Sequence, residues 1–535
     1  MEVSVIGSSS QAKICTSWSE LSSYREIRFC NFQKRVSLLN NTKSTRWRNS
    51  GLSFTLKAVQ SSPVRSDRLP RRGSSSKPKS LDGVRVFVGL PLDAVSDCNT
   101  VNHARAIAAG LRALKLLGID GVELPVWWGI VEKESMGKYD WSGYLVLAEM
   151  IQNAGLKLHV SLCFHGSKQP KIPLPEWVSR IGDSEPGIYH ADRSGNHYRE
   201  CLSLAVDEVP VLNGKTPVQV YQEFCESFKS SFSHFFGSTI TGVTVGLGPD
   251  GELRYPSHRQ LASHGNILGV GEFQCYDKNM LNLLKEKAEA TGNPLWGLGG
   301  PHDAPSYEQS PNSNHFFKDN GGSWDSPYGD FFLSWYSSEL LSHGDRLLSL
   351  ASTSFSDTSV TVHGKIPLMH SWYKTRSHPS ELTAGFNNTV NRDGYEAVAE
   401  MFARNSCKMI LPGMDLSDKH QPQESLSSPE SVLAQIRAVC RKHGVEISGQ
   451  NSVVSKAPHG FEQIKKNISG ENTVDLFTYQ RMGADFFSPE HFPSFTHFIR
   501  NLNQLGMFSD DLPEEEEVVE SVLLNSESNT HMQAA

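Results

Sequence analysis

Residues 239–256 read Thr239-Ile240-Thr241-Gly242-Val243-Thr244-Val245-Gly246-Leu247-Gly248-Pro249-Asp250-Gly251-Glu252-Leu253-Arg254-Tyr255-Pro256. The β-branched run Thr239–Leu247 predicts a strand. Gly246 to Gly251 then satisfies G-x-G-x-x-G, which would place a dinucleotide loop in an open, doubly wound sheet if an amphipathic helix followed. None does. Pro249 and the stretch Glu252–Pro256 do not open such a helix, and no acidic residue closes a second strand about 20 positions later. The glycines predict a turn that carries Glu252 out of the C-terminal end of a strand.

Seven more short apolar runs flank this one: Val84–Leu92, Val122–Trp128, Leu156–His165, Val360–His370, Lys408–Asp415, Val445–Asn451 and Leu476–Arg481. Helical periodicity follows most of them, at Val101–Leu117, Tyr144–Asn153, Val218–Phe236, Tyr276–Ala290, Phe331–Ala351, Tyr395–Ala403, Ser431–Lys442 and Glu490–Leu502. Eight alternating units imply parallel strands with helical crossovers. The expected fold class is α/β, a (β/α)₈ TIM barrel with long loops at the C-terminal face, with an open doubly wound sheet as the runner-up.

The charge divides the chain into three parts. Residues 1–80 hold 15 Lys+Arg against 4 Asp+Glu, with 19 Ser, while the remainder carries 36 basic and 54 acidic residues, a net of −18. An Arg- and Ser-rich, acid-poor leader without an apolar core reads as a plastid transit peptide, with a solvated or nucleic-acid-binding basic arm as the alternative. The acidic body argues against nucleic acid. Residues 81–508 are read as one barrel domain, and residues 509–535, with Glu514 to Glu517, as an acidic disordered tail. No stretch reaches the roughly 18 apolar residues of a membrane span. The nine cysteines show no C-x-x-C pair, so neither a zinc site nor a disulfide framework is expected.

Chemistry in such a barrel sits where the strands end. Polar residues there are His165, Glu252, His370, Asp415, Gln450, Asn451 and Arg481.

Gly246–Pro256 (GLGPDGELRYP), Val126-Trp127-Trp128-Gly129 and Gly271-Glu272-Phe273-Gln274-Cys275-Tyr276-Asp277 resemble the β-amylases, glycoside hydrolases that release maltose from α-1,4-glucans. Tyr139-Asp140-Trp141, Phe332–Ser337, Glu381–Gly385 and Arg392-Asp393-Gly394-Tyr395 match in the same order, so the resemblance runs from about residue 84 to about 502. It implies the same barrel, and the family's plant members include plastid forms with transit peptides; the acidic body and tail fit a stromal protein, and neither inverting hydrolysis nor any spacing calls for a metal or organic cofactor. Inverting hydrolysis needs a protonated acid at the leaving oxygen and a carboxylate that takes a proton from water. The resemblance assigns the acid to Glu252. It puts the base in a Gly-Glu-Asn motif, which here reads Gly449-Gln450-Asn451. An amide cannot take that proton, and losing a general base costs about 10²–10⁴-fold.

Other family positions have changed too. The segment after Phe164-His165, a glycine-rich closing lid with an aspartate in the family, reads Gly166-Ser167-Lys168-Gln169-Pro170-Lys171-Ile172-Pro173 and is shorter. Pro412 stands where the inner loop carries a threonine, Asp415 where a glutamate is usual, Pro125 where an aspartate grips glucose, and Ser371 where a tryptophan would stack on sugar. His165, Lys365, His370, Asn451 and Arg481 match substrate-contacting positions. The expected function is an inactive or nearly inactive β-amylase-like protein of plastid starch breakdown, acting as regulator or scaffold. Its expected partners are starch or maltodextrins, bound weakly, or another starch-metabolising protein. The alternatives are an active maltohydrolase, with Asp415 or Asp250 as substitute base, and a glucan sensor that binds without cleaving.

Overall fold

The computed structural model describes residues 83–258, 268–452 and 459–504. The leader and the acidic tail lie outside the described residues. Ten strands occur in chain order: β1 (Arg85–Gly89), β2 (Gly121–Trp127), β3 (Lys157–Cys163), β4 (Tyr189–Ala191), β5 (His197–Leu202), β6 (Ile240–Val245), β7 (Thr361–Lys365), β8 (Lys408–Leu411), β9 (Ile447–Gln450) and β10 (Leu476–Tyr479). Eight of them close a barrel in the order β1-β10-β9-β8-β7-β6-β3-β2, every pair parallel, while β4 and β5 form a separate antiparallel hairpin. This is the (β/α)₈ barrel; seven of its strands fall within runs expected from sequence, and β2 begins one residue before its run, at Gly121.

Elementary rules account for the crossover helices. The helix Ala104–Leu117 buries Ile107, Leu111 and Leu114, one apolar stripe, and stops at Gly118 with φ 89°. Helices at Pro217, Pro327, Pro379 and Pro429 begin with proline at the first position, where its missing N–H has no helical partner to lose. Thr216 and Gln219 form a capping box, and Asp277 accepts from the Asn279 and Met280 amides.

The long insertions follow strand ends. Between β3 and β6 run the helix Glu176–Ser184 and the hairpin, and between β6 and β7 lies an excursion that ends in the helix Pro327–Ser354. An aromatic cluster joins the first insertion to the barrel: Phe164 stacks on Tyr221 at 4.2 Å, and Trp128 meets Phe164, Trp177 and Tyr221 edge-on. Such rings bury large apolar areas in fixed geometry, which holds the chain entering the mouth.

Every barrel strand ends before its expected run does, and at β7, β8 and β10 this leaves site residues on loops. Proline at 367 follows the end of β7 at Lys365, which leaves His370 on a loop. Pro412 and Gly413, at φ 77°, end β8, and Asp415 therefore lies in a turn. Arg481 sits two residues beyond β10. A proline cannot donate to a ladder, and a left-handed glycine turns the chain away from it.

Candidate active site

The turn after β6 is built around Glu252. Gly248 has φ 148°, and a Cβ there would lie 2.8 Å from the Glu252 carbonyl, so only glycine fits. Leu253 N–H donates to the Lys365 carbonyl at 2.8 Å, which adds Glu252 to the end of β7 as an extra bridge. Tyr255 stacks on Tyr336 at 3.8 Å and donates its hydroxyl to the Tyr336 carbonyl. The glycines therefore deliver a carboxylate to the barrel mouth, as the sequence implied.

That carboxylate is held by two cations. Oε1 faces Lys365 Nζ at 3.1 Å, and Oε2 accepts from Arg254 Nε at 2.9 Å. Arg254, buried at 7% exposure, also pairs with Asp250. Burial alone would raise the Asp250 carboxyl, but Arg254, His165 and Lys365 together hold it below the usual range. His165 lies close by: a Cβ on Gly251 would be 3.2 Å from its Cε1. Burial pushes the His165 imidazole down to about 4, and its Nδ1 has no hydrogen-bond partner among the described residues. Glu252, Lys365 and His165 thus come together, with Arg254 and Asp250 added.

The second cluster forms at the ends of β8, β9 and β10, with β7 and β8 standing between β6 and β9. Gln450 is the last residue of β9 and is 6% exposed. Its carbonyl accepts from Met414 N–H at 2.9 Å, and among the described residues nothing hydrogen-bonds its side-chain amide. Asp415 accepts from the Ser452 amide at 2.5 Å and the Ser452 hydroxyl at 2.8 Å. Asn451 accepts from Gln480 N–H at 2.6 Å and donates to the carbonyls of Gln480, at 2.9 Å, and Ser452, at 3.0 Å. Arg481 donates to the Leu90 carbonyl at 2.5 Å and faces Glu123 at 3.9 Å. Burial lowers its guanidinium. Both carboxylates that could have replaced a base are therefore already engaged, Asp415 by Ser452 and Asp250 by Arg254.

The loops around these clusters are fastened. Ser167 and Ile172 exchange backbone hydrogen bonds at 2.7 and 2.8 Å, closing the 166–173 segment into a tight turn. Gly166 N–H donates to the Glu200 carbonyl on β5, while Lys168 pairs with Glu200 at 3.6 Å and lies over the Tyr198 ring. The inner loop is pinned at both faces of one peptide pair: Met414 N–H on Gln450, and the Met414 carbonyl accepting from Asn467 Nδ2 at 2.9 Å. Pro125 is tolerated inside β2 because pairing with β1 ends at Glu123, whose carbonyl takes Leu90 N–H. A residue two further along faces that open side, where no donor is missed. His370 Nδ1 shares a 2.6 Å hydrogen bond with Ser427, and burial lowers its imidazole to about 4. Ser371 is buried, and the neighbouring Trp372 turns its Nε1 toward the Leu268 carbonyl at 2.7 Å. The structure does not bring His370 into either cluster's hydrogen bonds.

The family description "Glycosyl hydrolase family 14" matches residues 87–507. The chain belongs to glycosyl hydrolase family 14. "Inactive beta-amylase 9" of Arabidopsis thaliana is 60% identical over 97% of this chain and 96% of its own length. "Beta-amylase 1, chloroplastic" of the same plant is 41% identical over 81% and 78%. The catalytic domain of β-amylase from Paenibacillus polymyxa superposes with a TM-score of 0.64 at 25% identity, covering 78% of this chain and 98% of that one.

Two features of this family 14 site were not legible beforehand. Arg254 sits inside the GELRYP motif, yet its double pairing depends on the left-handed Asp250, φ 55°. Glu123, 5% exposed in the middle of β2, accepts from Ser161 at 2.7 Å and Gln480 at 3.1 Å, a buried polar group satisfied across the barrel. An acidic residue in an apolar run was the available signal. Asn451 is a clamp on Gln480 in this geometry. Asn451→Ala strands a buried N–H and carbonyl and is expected to cost about 1–3 kcal/mol in urea unfolding; an unchanged midpoint would show that the clamp carries no stability.

Proposed function

We propose that this family 14 protein is a plastid β-amylase-like pseudoenzyme that acts in starch or maltodextrin breakdown as a regulator or scaffold rather than as a hydrolase. The carrying observation is Gln450 at the position where the family's base would stand, with Asp415 and Asp250 both committed to other partners. A mechanism that activates water needs an available carboxylate across the sugar from the acid. Asp415 meets Ser452 with both oxygens, and removing it from that contact would leave the Ser452 amide without its acceptor. The relative named inactive, similar over nearly the whole chain, supports the same reading. Relatives named chloroplastic and the basic Ser-rich leader support a plastid stromal site of action.

Restoring the carboxylate alone is expected to fail. Gln450→Glu supplies a base but leaves the 166–173 turn tied to β5 and the inner loop tied to Gln450's own carbonyl. A site that cannot close excludes water poorly and positions the chain end poorly. Maltose release by the variant should stay within about tenfold of the blank; turnover approaching that of an active β-amylase would make the loops secondary.

A non-cleaving glucan sensor is the second reading. It is favoured by buried polar atoms left without partners among the described residues at the mouth, His165 Nδ1 and Arg481 Nε. Calorimetry with maltoheptaose separates the two, since a sensor gives saturable heat abolished by His165→Ala and a scaffold gives none.

A further inference from the structure

The N-terminal face of the barrel, opposite the mouth, has a cavity of about 450 Å³. Its walls are the residues leading into β9 and β10 together with the helix Pro429–His443. We propose that this cavity binds a small hydroxylated phosphate ester, held by Arg437 and Arg441.

The charge balance of the walls carries the argument. Two carboxylates line the cavity, Glu446 and Asp475, and both are neutralised from outside it. Lys408 pairs with Glu446 at 2.5 Å and with Asp475 at 2.7 Å, and Arg85 adds a second cation to Asp475 at 2.8 Å. Arg437 and Arg441, one helical turn apart on one face, have no carboxylate partner among the described residues. Arg441 is exposed at the rim, whereas Arg437 is 9% exposed. One of its nitrogens, Nη2, donates to the Asn467 carbonyl and touches Met414 Sδ. Its Nε and Nη1 make no hydrogen bond among the described residues and are not fully buried, which offers three N–H donors where Arg437 lines the cavity. Burial, with Arg441 nearby, pushes this guanidinium down to about 10, as an uncompensated charge would be.

A buried arginine is ordinarily paired, because an unpaired charge in a low-dielectric wall is costly. Two forks of donors in fixed planes suit a doubly charged tetrahedral anion. The volume exceeds what a bare anion fills and falls in the range of small-ligand pockets. Val445 and Val474 offer apolar wall. Glu446, Asp475 and Asn472 retain acceptor lone pairs for hydroxyl groups. The remainder of the ligand is therefore expected to be polyhydroxylated.

The test is calorimetric titration of the full chain at low ionic strength with glucose 6-phosphate, inorganic phosphate and glucose as probes. Glucose 6-phosphate is expected to bind at about 1 mM or tighter, inorganic phosphate more weakly and glucose not at all. Arg441→Gln, at an exposed position that leaves the fold intact, is expected to weaken binding by roughly tenfold or more, and Arg437→Gln to abolish it. Absence of heat with glucose 6-phosphate would overturn the proposal. So would equal affinity for inorganic phosphate, or binding that Arg441→Gln leaves unchanged.

Discussion

Arg254→Met is expected to lower the unfolding free energy by about 3 kcal/mol, the lower end of the cost of removing one partner from a buried ion pair. Arg254 is the hub of the Glu252 turn, with Oε2 of Glu252 at 2.9 Å, Asp250 beside it and 7% of its surface exposed. Methionine fills much of the volume but supplies no charge, so two carboxylates lose their shared donor while Lys365 remains for one of them. Urea unfolding of wild type, Arg254→Met and Arg254→Lys would read the effect. The lysine variant keeps the charge and loses the fork, and should fall between the other two. Equal midpoints for all three would mean that the turn is held by Gly248 and the Leu253–Lys365 backbone bond alone. The prediction also gives Glu252 a structural role: its carboxylate, through Arg254 and Lys365, ties the β6 turn to β7 whether or not it ever donates a proton.

Stability is expected to fall steeply between pH 7 and pH 5. His159, His165 and His190 are buried, and burial lowers their imidazoles to about 4, about 4 and about 3. In the unfolded chain they would titrate near 6.5. Below that value the unfolded state takes up protons that the folded state refuses, so the folded state loses stability as pH drops from about 6.5 toward about 4. At pH 5 each group removes about 2 kcal/mol relative to pH 7. Their surroundings explain the shifts: His159 shares a 2.7 Å hydrogen bond with Thr244 inside the barrel, meets the His363 ring at 4.6 Å, and His363 is itself depressed by burial. His165 packs edge-on against Trp127 at 5.3 Å. Carboxylates also contribute to acid sensitivity, so the specific readout is the slope. His165→Gln should flatten the difference between pH 7 and pH 5 by about 2 kcal/mol; an unaltered slope would remove His165 from the account.

The barrel was legible because its strands are short β-branched or apolar runs bounded by Gly, Pro or Asp, a signal that depends only on nearby residues. The hairpin Tyr189–Leu202 was not, since His197-Tyr198-Arg199-Glu200 carries no apolar run. The six-residue helix Pro379–Ala384 was hidden by its brevity and because three of its six buried residues, Ser380, Glu381 and Thr383, are polar, so no apolar period marks it. At the site, residue types could name Glu252, Gln450 and the altered positions. They could not say what each side chain touches. Asp415 and Asp250 looked equally able to stand in for a base until their partners, 37 and 4 residues away, were seen. Asn451, matched to a substrate contact, spends both ends of its amide on backbone groups. Such contacts arise from the closing of the barrel, which brings β9 beside β10 and β1 beside β2.

The central claim is that neither Asp415, held by Ser452, nor Asp250, held by Arg254, stands in for a base at the position of Gln450. Maltose release from soluble starch by the purified protein, run at high concentration beside Glu252→Gln, tests it most directly. The account predicts no release above the blank from either protein. Turnover in the wild type that disappears in Glu252→Gln would contradict it, and would mean that water is activated at this site without a carboxylate at position 450.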